Sequence, residues 1–204
     1  DITVAAGKTE TISQSVDVAN PKLWSVDSPN LYWVRTEIIQ NGKVVDSTDS
    51  RFGIRYIATD PNSGFYLNGV HTKLNGVCEH SDLGSLGMET YQAAVDRRIR
   101  TLKKYGVNAI RTSHNPVSPE FIEACDRLGM LVFEEAFDQW LYSKNSDDYH
   151  NYFNKAADGK TVVFDKAGND NTNNDTSYIE VKRDDLQSNA ERDIKAMVDR
   201  DKNA

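Results

Sequence analysis

Val107-Asn-Ala-Ile-Arg-Thr112, then Ser118-Pro-Glu120, then Met130-Leu-Val-Phe-Glu-Glu-Ala136 is the succession that decides the fold. A short apolar run gives way to a serine able to cap a helix, with proline in its first turn. Gly129 sits where a helix would stop, and a second apolar run follows. The same order is written once more upstream. Lys73-Leu-Asn-Gly-Val-Cys78 reads as a buried strand. Tyr91, Val95, Ile99, Leu102 and Tyr105 then recur at helical spacing, with Gly106 at the stop position. Strands separated by single helices require parallel pairing through crossovers. The unbroken apolar content of the third strand fits burial on both of its faces.

In a parallel α/β barrel, chemistry gathers at the C-terminal ends of the strands. His80 follows the first strand here, Arg111 and His114 end the second, and Glu134, Glu135 and Asp138 end the third. Each residue alone has a plainer reading. A histidine beside a helix start caps or packs, a Glu-Glu pair is commonly a solvated turn, and an arginine at a strand end commonly makes a structural ion pair. Their coincidence at three strand ends carries more weight than any one of them. Cys78 and Cys125 stand in apolar contexts without metal-ligand spacing, which points to buried, inert thiols. His71 and His150 have no partner in the pattern and read as surface residues.

Residues 1–58 have a different character. Ile12, Val16 and Val18 alternate, and Leu31-Tyr-Trp-Val-Arg-Thr-Glu-Ile-Ile-Gln40 is rich in β-branched and aromatic residues. Asn41-Gly42 and then Lys43-Val-Val-Asp-Ser47 complete a strong hairpin signal. This is the pattern of part of an antiparallel sandwich, with too few strands to close one. Phe65-Tyr-Leu-Asn-Gly69 reads as a short hairpin before the first α/β unit. The far end breaks the rhythm. Of the 32 residues 145–176, 13 are Asn or Asp, which predicts a long loop before a charged helix over about Glu180–Lys202. Asn169, Asn171, Asn173, Asp175 and Glu180 match the ligand spacing of a calcium loop, but Asn174 stands where the turn wants glycine, so a polar loop is the stronger reading. Asn174-Asp-Thr176 is a glycosylation sequon that matters only in a eukaryotic secretory setting.

Composition bounds the rest. The 24 basic against 31 acidic residues leave a net charge of −7, which argues against a phosphate-binding, nucleic-acid partner. No apolar run approaches the roughly 20 residues that span a bilayer, so no membrane partner is expected. Nor does a basic, then apolar, leader open the chain. Two cysteines are too few for a disulfide scaffold, so packing must hold the fold.

Four stretches together carry a family likeness. They are Asn20-Pro-Lys-Leu-Trp-Ser25 with Ser28-Pro-Asn-Leu-Tyr32, Arg51-Phe-Gly-Ile-Arg55, Leu74-Asn-Gly-Val-Cys-Glu-His-Ser-Asp-Leu-Gly84, and Asn108-Ala-Ile-Arg-Thr-Ser-His-Asn-Pro116 with Glu134-Glu-Ala136. The sequence resembles glycoside hydrolase family 2, and within it the bacterial β-galactosidases. The resemblance implies a mixed fold: residues 1–60 the C-terminal part of an immunoglobulin-like β-sandwich, and residues 61–204 the first three βα units of a (β/α)8 TIM barrel. It implies a retaining glycosidase acting on terminal β-D-galactosyl residues, with β-glucuronide or β-mannoside as sister substrates. A non-catalytic carbohydrate-binding module is the competing reading.

The resemblance also implies roles. Arg111 matches an arginine that supports the nucleophile carboxylate. His80 and His114 match histidines of the sugar subsite, and Glu135 a carboxylate at the pocket rim. Asp138 and Trp140 occupy loop positions suited to sugar contacts, an indole offering an apolar face. Two glutamates at the ends of the fourth and seventh barrel strands do the chemistry in this family, and both are expected beyond Ala204, leaving this chain inactive alone. Magnesium-binding members carry a carboxylate where Gln139 stands, so no metal is expected, and no cofactor. Three barrel strands would leave two edges for further strands, or for a second copy in a homo-oligomer, to cover.

Overall fold

A computed structural model of the chain describes residues 2–137, 162–165, 178–181 and 183–202. Strands β1 (Tyr32–Gln40) and β2 (Lys43–Phe52) pair antiparallel around Asn41-Gly42, both at positive φ, with a bulge at Ile38/Ile39. That is the backbone an Asn-Gly turn favours. Next come β3 (Ile57–Asp60), β4 (Gly64–Leu67) and β5 (Val70–His71), a three-stranded antiparallel sheet. The alternating residues Ile12, Val16 and Val18 form no strand, and Val16 is 85% exposed. Alternation makes a strand only where one face finds a partner surface, and none covers this segment among the described residues.

The crossover units follow. Strands β6 (Gly76–Glu79), β7 (Ala109–Thr112) and β8 (Leu131–Phe133) form one parallel sheet with β7 in the centre. Helix α1 (Gln92–Lys104) connects the first pair and α2 (Pro119–Leu128) the second. Ser118 caps α2 by accepting from the Phe121 amide, and Gly129 ends it in the left-handed conformation. Both helices cover the same face of the sheet. Val95 and Ile99 of α1, Ile110 of β7, and Phe121, Ile122 and Cys125 of α2 form the core. Tyr91 and Tyr105, at the ends of the α1 pattern, are exposed.

Register explains a correction. Val77, Ile110 and Val132 are neighbours on the helix-covered face, and Cys78, Arg111 and Phe133 are neighbours on the other. The start of that second face is covered, Leu131 and Ala109 packing with Trp24 and Leu67, while toward the strand ends Phe133 is 68% exposed. The third strand is therefore covered on both faces at Leu131 and Val132, but it stops at Phe133, which is exposed. Cys78, expected to be buried, is exposed, while Cys125 is buried as expected. A further difference lies near the C-terminus. β9 (Val162–Asp165) pairs antiparallel with β10 (Tyr178–Val181), so part of the expected loop is a strand. Helix α3 spans Arg183–Asp201.

Trp24 joins the two halves. It is buried, its indole donates to the Asp126 carbonyl at 2.7 Å, and the Arg55 guanidinium lies 5.3 Å from its ring. Lys103 donates to the carbonyls of Val26 (2.5 Å) and Gly129 (2.9 Å). A Cβ on Gly129 would meet that Val26 carbonyl, so the close approach and the positive φ both demand glycine there. Arg51 pairs with Glu123 on α2. Burial pushes the Asp126 carboxyl up to about 6, against the pull of Arg55 and Arg51.

Two expectations follow. Ile99→Ala and Ile110→Ala, each at a site with 0% exposure, should lower the unfolding free energy in urea by about 2–5 kcal/mol. Asp126 binds its proton more tightly in the folded state, so its contribution favours folding below the ordinary carboxylate range and is lost as pH rises through about 6. Asp126→Asn should remove that fall from the stability-against-pH curve measured by denaturation.

Candidate active site

The site lies just past the C-terminal ends of the three parallel strands. β7 delivers Arg111, and two residues after it comes His114, the Ser113–His114 bond being cis. Glu135 stands two residues beyond β8, and His80 follows β6 directly. Thr112, 2% exposed, accepts from the Glu135 amide at 3.2 Å. Buried Ser113 donates its amide to the Glu79 carbonyl at 2.9 Å, tying the His114 loop to the strand end beside His80.

Two of the expected residues, Arg111 and His114, converge on the carboxylate of a third, Glu135. Arg111 Nε donates to Glu135 Oε1 at 2.6 Å, and Arg111 Nη2 lies 2.5 Å from the same oxygen. His114 Nδ1 is 2.9 Å from Glu135 Oε2. A proton on Nδ1 satisfies that bond and leaves His114 Nε2 as an acceptor. Arg111 Nη2 sits 3.3 Å from His114 Nδ1, closing the triangle. Partial burial opposes charge on Glu135, but the hydrogen bonds from His114 and Arg111 outweigh it and hold the carboxyl below its usual range. The His80 ring stands nearly edge-on to His114, with centroids 5.8 Å apart.

Glu134 faces elsewhere. Its Oε1 accepts from the Val117 amide at 3.2 Å and lies 3.3 Å from Arg200 Nη2 of α3. Burial, and then the neighbouring Asp201, push this carboxyl up. Asp138, Trp140, Gln139, His150 and the 169–176 stretch lie outside the described residues. Among the described residues there is no group of three His, Cys, Asp or Glu side chains placed to hold a metal, and no helix long and apolar enough to cross a membrane.

Sequence alone does not mark two members of the cluster as site residues: Ser113 is not named, and Cys78 reads as a buried, inert thiol. Arg111 Nη1 reaches Ser113 Oγ at 3.1 Å and the Cys78 thiol at 3.6 Å. Those contacts pull the Cys78 thiol below its ordinary value. The period-two rule applied to both strands would have paired Cys78 with Arg111, but only once their register was known.

A model described as "Glycosyl hydrolases family 2" matches residues 1–55, and one described as "Glycosyl hydrolases family 2, TIM barrel domain" matches residues 59–204. The chain belongs to glycosyl hydrolase family 2. Its parallel sheet is the start of that family's barrel, with no closed barrel among the described residues. A β-galactosidase of Bacteroides ovatus is 44% identical over 150 residues, 74% of this chain and 18% of that protein. A solved family 2 structure from Bacteroides cellulosilyticus superposes with a TM-score of 0.62 at 48% identity, over 69% of this chain and 18% of the other. The β-glucuronidase of Parabacteroides merdae superposes at 0.54 with 34% identity, covering 58% and 15%. The chain therefore spans under a fifth of the length of each of these three family 2 relatives.

The thiols give a test of the cluster. At neutral pH, Cys78 should react with iodoacetamide faster than buried Cys125, because only the thiolate attacks. Arg111→Met should slow Cys78 while leaving Cys125 unchanged, as read by peptide mass spectrometry.

Proposed function

We propose that this chain is the start of the catalytic barrel, and the preceding sandwich segment, of a retaining β-glycosidase, with a terminal β-D-galactoside as its substrate. The boundary between the two falls near residue 60. The observation that carries the reading is the Arg111–Glu135–His114 knot beside His80, at the strand ends of a family 2 barrel. A retaining glycosidase uses two carboxylates about 5–5.5 Å apart, one as acid/base and one as nucleophile. Glu79, Glu134 and Glu135 are each committed to an ion pair within this chain, with Arg98, Arg200 and Arg111 respectively, and are assigned neither role. The two catalytic carboxylates are assigned to the protein beyond these 204 residues.

Each residue here then has a supporting part. Glu135 fixes the Arg111 guanidinium, whose positive charge at the strand ends favours the ionised form of a nearby nucleophile carboxylate. His114 and His80 offer ring nitrogens to adjacent sugar hydroxyls, able to donate or accept. Asp138 and Trp140 are proposed to extend this wall toward the sugar. A β-glucuronide is the second reading, favoured by the likeness to the Parabacteroides merdae enzyme. A β-galactosidase at 44% identity supports galactose, and a "Putative beta-glucuronidase" of Formosa agariphila at 43% supports the second reading nearly as strongly.

The parent protein should hydrolyse p-nitrophenyl β-D-galactoside in preference to the β-D-glucuronide, and the reverse preference would overturn the substrate assignment. The isolated 204-residue chain should release no p-nitrophenol from either. Turnover by that chain, abolished in Glu135→Gln, would return the chemistry to Glu135. His114→Ala should remove any galactose binding the isolated chain shows by calorimetry.

A further inference from the structure

The loop that carries His80 is held from outside the site. His80 lies between Glu79, the last residue of β6, and Asp82. Arg98 projects from α1 and takes hold on both sides of the histidine. Its Nη1 lies 2.8 Å from Glu79 Oε2, and its Nη2 donates to the Asp82 carbonyl. The turn between those two points closes on itself, with the Asp82 amide donating to the His80 carbonyl at 2.8 Å. Beyond it the Gly84 amide donates to Asp82 Oδ1 at 3.2 Å, and Leu83 packs against the core under the loop. On the other flank the Glu79 carbonyl accepts from Ser113, so the β6 end is tied both to α1 and to the His114 segment.

A guanidinium suits this task as an ammonium does not. Its planar fork can bond a carboxylate and a carbonyl at the same time, in fixed relative directions. Arg98 and Glu79 are both only about a quarter exposed, 25% and 22% at the side chain. Ile99, the next residue of α1, is fully buried, so the helix that bears Arg98 is itself fixed by the core. The geometry is thus a rigid helix holding a short loop at two points, with His80 between them and its ring set against His114.

We propose that Arg98 is a positioning residue for sugar recognition, fixing His80 in register with His114 without touching the sugar. This rests on the reading of His80 and His114 as sugar contacts given above. Its structural half can be tested without sugar. In the isolated chain with labelled histidines, a cross-ring nuclear Overhauser effect between His80 and His114 reports their arrangement. Arg98→Met should abolish that effect while the amide signals of the α1–α2 core persist, and Arg98→Lys should restore it only in part. An unchanged cross-ring effect in Arg98→Met would overturn the proposal. If Arg98→Met fails to fold, Glu79→Gln removes the same anchor from the other side and should weaken the effect in the same way.

The functional half uses D-galactose as the probe. In the wild-type chain it should shift both imidazoles. In Arg98→Met the affinity should fall roughly tenfold, on the scale of one lost hydrogen bond, with the His80 response lost and the His114 response kept. Equal loss at both histidines would mean general loosening and would overturn the positioning role. No response to galactose in the wild-type chain would instead count against the sugar-contact reading, with the ligand-free measurement still deciding how Arg98 acts.

Discussion

The alternation of β7 is the constraint on which the rest of the structure depends. Successive side chains of a strand point to opposite faces, so a slip of one residue exchanges the faces completely. Here Ile110 is fully buried under two helices, and Arg111 therefore emerges on the other side. Asn108 fixes the starting point. Its side chain donates to the Lys73 carbonyl and accepts from the Asn75 amide, both at 2.8 Å, and its own carbonyl accepts from Leu131 at 3.0 Å. One asparagine thus aligns the entry to all three parallel strands. With that register set, Cys78 and Phe133 must flank Arg111, and the chain must leave each strand at the same level.

The electrostatics of the site follow from that alignment. Two loops leave neighbouring strands at one level, and their side chains meet over Glu135. A partly buried carboxylate left alone would favour its neutral form, but a guanidinium and an imidazole within 3 Å reverse the balance. A carboxylate committed on both oxygens is scaffold, and what it holds steady is the orientation of Arg111 and His114. Glu134, one residue away, meets burial and an acidic neighbour instead, and shifts the opposite way. Adjacent residues of one type therefore do different work, because the chain turns between them.

The joint between the two halves uses a different kind of contact. The indole of Trp24 fills apolar space, while its one donor reaches the Asp126 backbone near the end of α2. Arg51, Arg55 and Lys103 carry positive charge into the same seam, where carboxylates and carbonyl oxygens receive it. Such contacts are directional, and directional contacts fix the angle between two modules more narrowly than apolar burial does.

The crossover architecture was legible in the sequence because its signals are local. A serine–proline helix start, a glycine stop, helical spacing from Val95 to Leu102 and Asn-Gly turns each act within a few residues. Arg111, His114, Glu135 and His80 were legible as strand-end residues for the same reason. The meeting of Cys78 with Arg111, and the hold of Arg98 on the His80 loop, were not. Nor was the lack of strand structure around Ile12–Val18, since a strand needs a partner that its own sequence does not contain. The sequence by itself determined the elements, their order and the chemical groups at their ends. Only the tertiary structure decided which groups touch and which face is covered, because register and packing are relations between distant segments.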